Sequence, residues 1–147
     1  MMKKVMIIGA GAQGNVISGV LSKAEDVETI LLADVDLQRA EEVAQFVGSD
    51  KIKVKPVDAS DVDAMVSRIR QGPYELVVNA TLPVFDRPIL KACVQAEADY
   101  LDMASNEMLQ SSTTETVQDE FIVEQFEFAR DFEKAGLNKS GFFFLNR

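Results

Sequence analysis

The sequence predicts a doubly wound α/β fold, in which a mostly parallel sheet of about six strands lies between two layers of helices. Strand and helix patterns alternate along the 147 residues, which is typical of parallel sheets with helices on both faces. A short apolar run also leads directly into three closely spaced glycines. Hydrophobic residues make up 47% of the chain, which is enough for the core of one domain of this length.

Residues 4–8 are predicted to form the first strand, because consecutive apolar residues suit a central strand that is buried on both faces. Gly9, Gly11 and Gly14 follow in the pattern G-x-G-x-x-G. The first glycine permits a tight turn, the second lets a pyrophosphate approach the backbone, and the third allows close packing of the next helix. The free N–H groups at the start of that helix favour an anion. The motif therefore predicts a dinucleotide site in a three-layer Rossmann fold.

The next predicted elements are a helix over residues 12–23 and a second buried strand over residues 28–33. Apolar side chains recur along the helix at helical spacing: Val16, Ile17, Val20 and Leu21. The strand ends at Asp34, where a carboxylate can accept hydrogen bonds from the adenosine ribose hydroxyls and would repel a 2′-phosphate. We therefore expect the cofactor to be NAD. NADP remains open, because Arg39 follows one helical turn further on.

The remaining elements continue the alternation. The predicted helices begin near Asp36 and stop at Gly48, begin at Ser60 or Asp61 and stop at Gly72, and cover residues 86–98 and 120–135. The predicted strands cover residues 52–57, 75–78, 100–103 and 142–145. Lysines alternate with apolar residues in the third strand, which suggests a position near the edge of the sheet.

The usual strand order for this fold, 3-2-1-4-5-6, places a crevice between strands one and four at their carboxyl ends. The glycine loop, Asp34 and the segment Asn79–Pro83 all fall at that edge. Asp58 and Ala59, after the third strand, fit either a position beside the adenine or an ordinary turn before a helix. The sequence identifies no catalytic acid or base and no metal site.

Composition excludes several other classes of function. Without histidine, the chain has no histidine base, no histidine-bound zinc and no Ser-His-Asp triad. A net charge of −9 argues against a surface for nucleic acid or an anionic membrane. The lone Cys93 has no internal disulfide partner, which suits the cytoplasm, and we expect it to be a small buried hydrophobe. The opening apolar run is too short for a signal peptide or a membrane span.

Longer stretches point to a family. They are the opening IIGAGAQGN, LLADVD after the second strand, PVDASD after the third, and above all VVNATLPVFDRPILKACVQAEADYLDMAS over Val77–Ser105. With these segments the chain resembles the amino-terminal domain of the saccharopine dehydrogenase family over residues 2–136. The resemblance implies a nicotinamide-dependent oxidoreductase, in which a hydride passes between the cofactor and a C–N bond of an amino-acid adduct.

The resemblance also implies roles for particular residues. Gly9, Gly11, Ala12, Gln13 and Gly14 would hold the pyrophosphate, Asp34 and Val35 would flank the ribose, Asp58 and Ala59 the adenine, and Ala80, Thr81, Leu82 and Pro83 the nicotinamide side. Residues 137–147 depart from the family, and the substrate and dimerisation domain of its members is absent from this sequence. We therefore expect residues 1–136 to form the cofactor domain, to meet an amino-acid-derived substrate only together with the missing domain, and to be inactive alone.

Two alternatives of other classes remain open. One is a non-catalytic NAD(H)-sensing domain, like the regulatory domains of potassium transport systems. The other is a methyltransferase, although such enzymes usually carry an acidic residue before the first glycine, where this chain has Ile8. Residues 142–144 are three consecutive phenylalanines, which cannot all face one side of a strand. At least one is expected to be exposed and to favour self-association as a homodimer.

Overall fold

Six parallel strands form one sheet in a computed structural model, which describes residues 2–102 and 128–141. The strands are β1 (Lys3–Ile8), β2 (Val27–Asp34), β3 (Ile52–Pro56), β4 (Leu76–Asn79), β5 (Asp99–Asp102) and β6 (Lys139–Gly141). Their order is β3-β2-β1-β4-β5-β6, and each neighbouring pair is parallel. The predicted strand order and the edge position of β3 are thereby confirmed.

The helices connect these strands and cover both faces of the sheet. They are α1 (Ala12–Leu21), α2 (Leu37–Val47), α3 (Val62–Gln71) and α4 (Asp86–Ala96), with a 3-10 turn at Pro83–Phe85. Residues 128–134 are also helical. On one face α3, α4 and this last segment pack together through Met65, Cys93 and Phe132. On the other face α2 packs through Ala40 and Val43, and α1 adds partly buried side chains.

Register brings the carboxyl ends of the central strands to one level. Ile8, the last residue of β1, pairs with Ala33 of β2 and with Asn79 of β4. Asn79 in turn pairs with Asp102, the last residue of β5. The loops that follow β1, β2 and β4 therefore leave the sheet side by side, as the predicted crevice requires.

Local capping explains where two of the helices begin. The Asp36 carboxylate accepts a hydrogen bond from the Arg39 N–H at 3.1 Å, and Asp61 accepts from the Ala64 N–H at 2.9 Å. Each satisfies an N–H group that has no acceptor within its own helix. Asp61 rather than Ser60 is thus the cap of α3. Gly48 ends α2 in the left-handed conformation, with φ of 66°, as predicted.

The apolar residues that recur along α1 do not all face the core. Val16 and Val20 are 66% and 64% exposed, whereas Gly14 and Ser18 are buried. The reason is that Gly14 packs directly on the backbone of the preceding loop, which turns the 14–18 row toward the sheet. Ile17 and Leu21 flank that row and pack on the core.

Other differences concern element ends and segments outside the described residues. β5 begins and ends one residue before the predicted strand, and α4 ends two residues early. β6 lies directly before the segment 142–145 that was predicted as the sixth strand, and that segment is outside the described residues. The first part of the helix predicted over 120–135 is also outside them. No helix of the described residues has the length and apolar character to cross a membrane.

Candidate functional site

The loop between β1 and α1 requires glycine at two positions. Gly9 has φ of +105°, and a Cβ there would lie 2.6 Å from the carbonyl oxygen of Ala80. A Cβ at Gly14 would overlap the carbonyl oxygen of Gly9. The first glycine lets the chain turn beside the loop that follows β4, and the second lets α1 approach the turn. These contacts bring the glycine loop and the β4 loop together.

Gly11 differs from its neighbours, because its Cα faces open space. Among the described residues, no heavy atom beyond its chain neighbours lies within 4 Å of a Cβ built there. Gly11 is also the N-cap of α1, and it has no side chain with which to cap the helix. The first helical hydrogen bond runs from the Asn15 N–H to the Gly11 carbonyl, so the earlier N–H groups of the turn have no acceptor within the helix. An open space beside these donors fits a pyrophosphate.

Ala12 and Gln13 are exposed in the first turn of α1, beside Gly11. The structure therefore places the glycines, Ala12 and Gln13 in one loop and helix start, as the fingerprint predicts. Their part in binding remains a prediction.

Asp34 connects the end of β2 to the glycine loop. Its Oδ2 accepts a hydrogen bond from the Ala10 N–H at 2.7 Å, and its Oδ1 accepts from the Asp36 N–H at 2.9 Å. An ionised carboxylate has about four acceptor positions on its two oxygens. The two that remain on Asp34 can accept hydrogen bonds from ribose hydroxyls. Asp34 thus holds the loop in shape before any ligand arrives. The motif spacing predicts a ribose contact for Asp34, but it does not predict the hydrogen bond to Ala10.

The residues assigned to the adenosine end lie after β2 and β3. Val35 is 74% exposed beside Asp34, and Asp58 is exposed after β3. The Asp58 carboxylate accepts hydrogen bonds from the N–H and hydroxyl of Ser60, which lower the pKa of Asp58. Ala59 is buried in the core. Asp58 therefore forms a turn before α3, and any contact from Ala59 to a base would be made by its backbone.

The segment assigned to the nicotinamide side follows β4. Ala80 continues the sheet, since its N–H donates to the Ile8 carbonyl at 2.8 Å. Thr81 is half-buried, Leu82 is 64% exposed, and Pro83 begins the 3-10 turn. The loop thus lies beside β1 on the side away from Asp34, because β4 and β2 flank β1 in the sheet.

A buried polar network under this loop was not predicted. Asn79 donates hydrogen bonds to Asp86 Oδ1 at 2.8 Å and to the Tyr100 hydroxyl at 3.0 Å, and it accepts two from Thr81. Burial, and next the charge of Asp102, raise the pKa of Tyr100 well above its usual range. A single polar residue at the end of an apolar strand was the available signal, because such a residue at the end of a buried strand needs partners.

The single cysteine, Cys93, is placed as a packing residue and not as a reactive thiol. Cys93 is buried in α4, and burial raises the pKa of its thiol strongly. The neutral thiol acts as a small apolar side chain, in agreement with the prediction from its position. Within the described ranges, no group of three carboxylate or thiol side chains is placed to hold a metal ion.

The chain is similar to known proteins of one family. A family model described as the saccharopine dehydrogenase NADP-binding domain matches residues 5–137. Carboxyaminopropylagmatine dehydrogenase of Synechocystis is 37% identical over 106 residues, which are 72% of this chain and 27% of that protein. Carboxynorspermidine synthase of Vibrio alginolyticus is 28% identical over 142 residues, 90% of this chain and 34% of that protein. The chain thus spans about a quarter to a third of the length of these curated relatives.

Solved structures show the same fold. Saccharopine dehydrogenase (L-Glu forming) from Saccharomyces cerevisiae superposes with a TM-score of 0.71 at 18% identity, over 95% of this chain and 26% of that one. Neither the family match nor these relatives support the alternative of a potassium-transport regulatory domain. The predicted family is therefore confirmed, and with it a nicotinamide dinucleotide as cofactor. The chain belongs to the saccharopine dehydrogenase family, whose NADP-binding domain it matches over residues 5–137.

Proposed function

We propose that the chain binds the dinucleotide across the carboxyl ends of β2, β1 and β4, with its pyrophosphate at Gly11. The observation that carries this proposal is the open space at Gly11, directly in front of uncapped N–H groups. Gly9 and Gly14 shape this loop, and the N–H groups of Ala12 and Gln13 are further donors for the phosphates. Bound cofactor would supply the hydride chemistry, while the chain would bind and orient it.

Asp34 and its surroundings favour NAD over NADP in this proposal. The Asp34 carboxylate lies at the end of β2, and the Asp36 carboxylate caps the helix that follows. Both would repel a 2′-phosphate. Arg39, the nearby cation, lies 4.0 Å from Asp36 Oδ2 and is partly neutralised by it. Val35 would contact the ribose edge, and the turn at Asp58 and Ala59 would contact the adenine.

The loop from Ala80 to Pro83 would receive the nicotinamide half. Ala80 and Thr81 are small enough to allow close approach, and Leu82 has an exposed apolar side chain. An aromatic nicotinamide ring would cover part of that side chain. This position opposite Asp34 would leave one side of the ring open to a substrate.

The reaction of the complete enzyme is part of the same proposal. The similar proteins are a carboxyaminopropylagmatine dehydrogenase and a carboxynorspermidine synthase, whose names describe carboxylated amines. We therefore propose hydride transfer at a C–N bond of an amino-acid-derived substrate. Because this chain spans only about a quarter to a third of those relatives, the substrate contacts would come from a further domain. The 147 residues alone would bind cofactor without turnover.

The proposal includes a homodimer and a cytoplasmic location. The apolar segment over residues 142–145 supports self-association as a homodimer, although it lies outside the described residues. The buried, unpaired Cys93 supports a reducing cytoplasm.

Isothermal calorimetry with NAD, NADP and S-adenosylmethionine tests the proposed ligand class. We expect NAD to bind more tightly than NADP, and S-adenosylmethionine to give no heat of binding. In a separate urea denaturation, NAD at a free concentration of 100 times its Kd should add about 2.7 kcal/mol to the free energy of unfolding. No binding of either dinucleotide would refute the proposal, while tighter binding of NADP would refute the role given to Asp34.

A further inference from the structure

The side chain of Asn79 uses all of its hydrogen-bonding capacity at the end of β4. It is 1% exposed. Its Nδ2 donates to Asp86 Oδ1 at 2.8 Å and to the Tyr100 hydroxyl at 3.0 Å. Its Oδ1 accepts from the Thr81 N–H at 2.9 Å and from the Thr81 hydroxyl at 2.6 Å. Turning the amide over would set its donors against the Thr81 N–H, so only one orientation satisfies the network.

These four bonds join three parts of the chain that lie around the end of β4. Asp86 is the first residue of α4, and Tyr100 lies on β5. Thr81 lies in the loop that leaves β4. Asn79 therefore ties this loop to a helix start and to the neighbouring strand. A fully satisfied buried network of this kind specifies one arrangement of its members.

The loop that follows β4 lies close to the glycine loop, so a small change in its position would bring the two into collision. The Ala80 carbonyl oxygen would lie 2.6 Å from a Cβ built at Gly9, and the Ala80 methyl group lies 3.9 Å from one built at Gly14. The sheet holds Ala80 through its bond to Ile8. The two bonds from Thr81 to Asn79 hold the next residue, where the loop turns away from the sheet.

We propose that Asn79 is a positioning residue, which holds the Ala80–Pro83 loop in the shape that receives the nicotinamide half of the cofactor. Asn79 itself does not touch the cofactor and acts through Thr81. The inference rests on the proposed function, since it assumes that a dinucleotide lies across this edge. It adds that the two halves of the cofactor depend on separate supports: Asp34 for the adenosine half and Asn79 for the nicotinamide half.

Calorimetry with NAD and ADP on the Asn79→Ala variant tests this division. ADP contains the adenosine and the pyrophosphate but lacks the nicotinamide half. We expect Asn79→Ala to raise the Kd for NAD about tenfold, because Thr81 loses its hydrogen bonds, and to leave the Kd for ADP unchanged. The control is Asn138→Ala. The exposed side-chain amide of Asn138 donates hydrogen bonds to the Asp99 carboxylate of β5, so its loss should leave the Kd of both ligands unchanged. Equal weakening of both ligands, or no weakening of NAD, would overturn the inference.

Two further measurements keep the test decisive. If Asn79→Ala does not fold, Tyr100→Phe removes only one acceptor of the Asn79 amide and should give a smaller loss of affinity confined to NAD. Amide hydrogen exchange on the wild-type chain without ligand should show a protected Thr81 N–H. If wild type binds no dinucleotide, the proposed function fails. Fast exchange of the Thr81 N–H would overturn the positioning role by itself.

Discussion

Gly9 and Gly11 lie in the loop after β1 and Gly14 lies in the first turn of α1, and an added methyl group would meet different surroundings at each. At Gly9 and Gly14 it would meet backbone atoms, which cannot move aside without displacing a strand or a helix. At Gly11 it would meet open space. The residues that shape the loop can therefore be separated experimentally from the residue that faces the ligand.

The Gly14→Ala variant tests the packing role. We expect it to lower the free energy of unfolding by about 3 kcal/mol, since the new methyl group overlaps the Gly9 carbonyl oxygen. Gly19→Ala is the matched control. Beyond its chain neighbours and the backbone of its own helix, a Cβ there meets no heavy atom of the described residues within 4 Å, and alanine favours the helix by up to about 1 kcal/mol. Urea denaturation followed by circular dichroism measures both. Equal stability of Gly14→Ala and wild type would contradict the packing role.

Two residues of the site show what a motif can and cannot predict. The spacing from the glycines places Asp34 at the end of β2, and the structure has it there. Its bond to the Ala10 N–H depends on the exact approach of two loops, which no spacing specifies. The network around Asn79 joins residues up to 21 positions apart, and the sequence indicates that Asn79 needs partners but not which residues they are.

At the scale of elements, α1 is the clearest case in which backbone contact overrides hydrophobic pattern. The valines at positions 16 and 20 suggest an inward stripe, but both are exposed. Ser18 is buried instead, with its hydroxyl bonded to the Gly14 carbonyl at 2.6 Å. The close approach at Gly14 fixes the rotation of the helix, and the apolar residues occupy the positions that remain. Pattern alone predicts that α1 exists but not which way it faces.

The strands were easier to predict than the face of α1, because a parallel sheet demands apolar residues on both faces. β1 and β2 contain apolar runs over residues 5–8 and 30–33, and both strands have a neighbour on each side in the sheet. In β3 apolar residues alternate with lysines, and the strand lies at an edge of the sheet. β5 is shifted by one residue from its predicted range because its pairing with β4 runs from Asp99 to Asp102.

For the whole molecule, two buried acidic groups in one core cluster predict a loss of stability at alkaline pH. Burial raises the pKa of Cys93 and of Tyr100 above their ordinary values of 9.0 and 10.0. Above about pH 9 the unfolded chain releases protons that the folded chain keeps, so the free energy of unfolding falls as pH rises. Each group contributes a slope of up to about 1.4 kcal/mol per pH unit.

Urea denaturation at about pH 8 and about pH 10.5 measures this loss. The decrease should be smaller in Tyr100→Phe, which removes one of the two ionisable groups. Identical stability of the wild-type chain at the two pH values would contradict the assignment.

The assembled fold brings the ends of β1, β2 and β4 together so that one ligand can span them, with Gly11 at its centre. The most direct measurement of this claim is the Kd for NAD in wild type and in Gly11→Ala, by isothermal calorimetry with Gly19→Ala as control. The account predicts that Gly11→Ala folds normally but loses at least about tenfold in affinity, since the methyl group occupies space needed by the pyrophosphate. An unchanged Kd in a folded Gly11→Ala variant would contradict it.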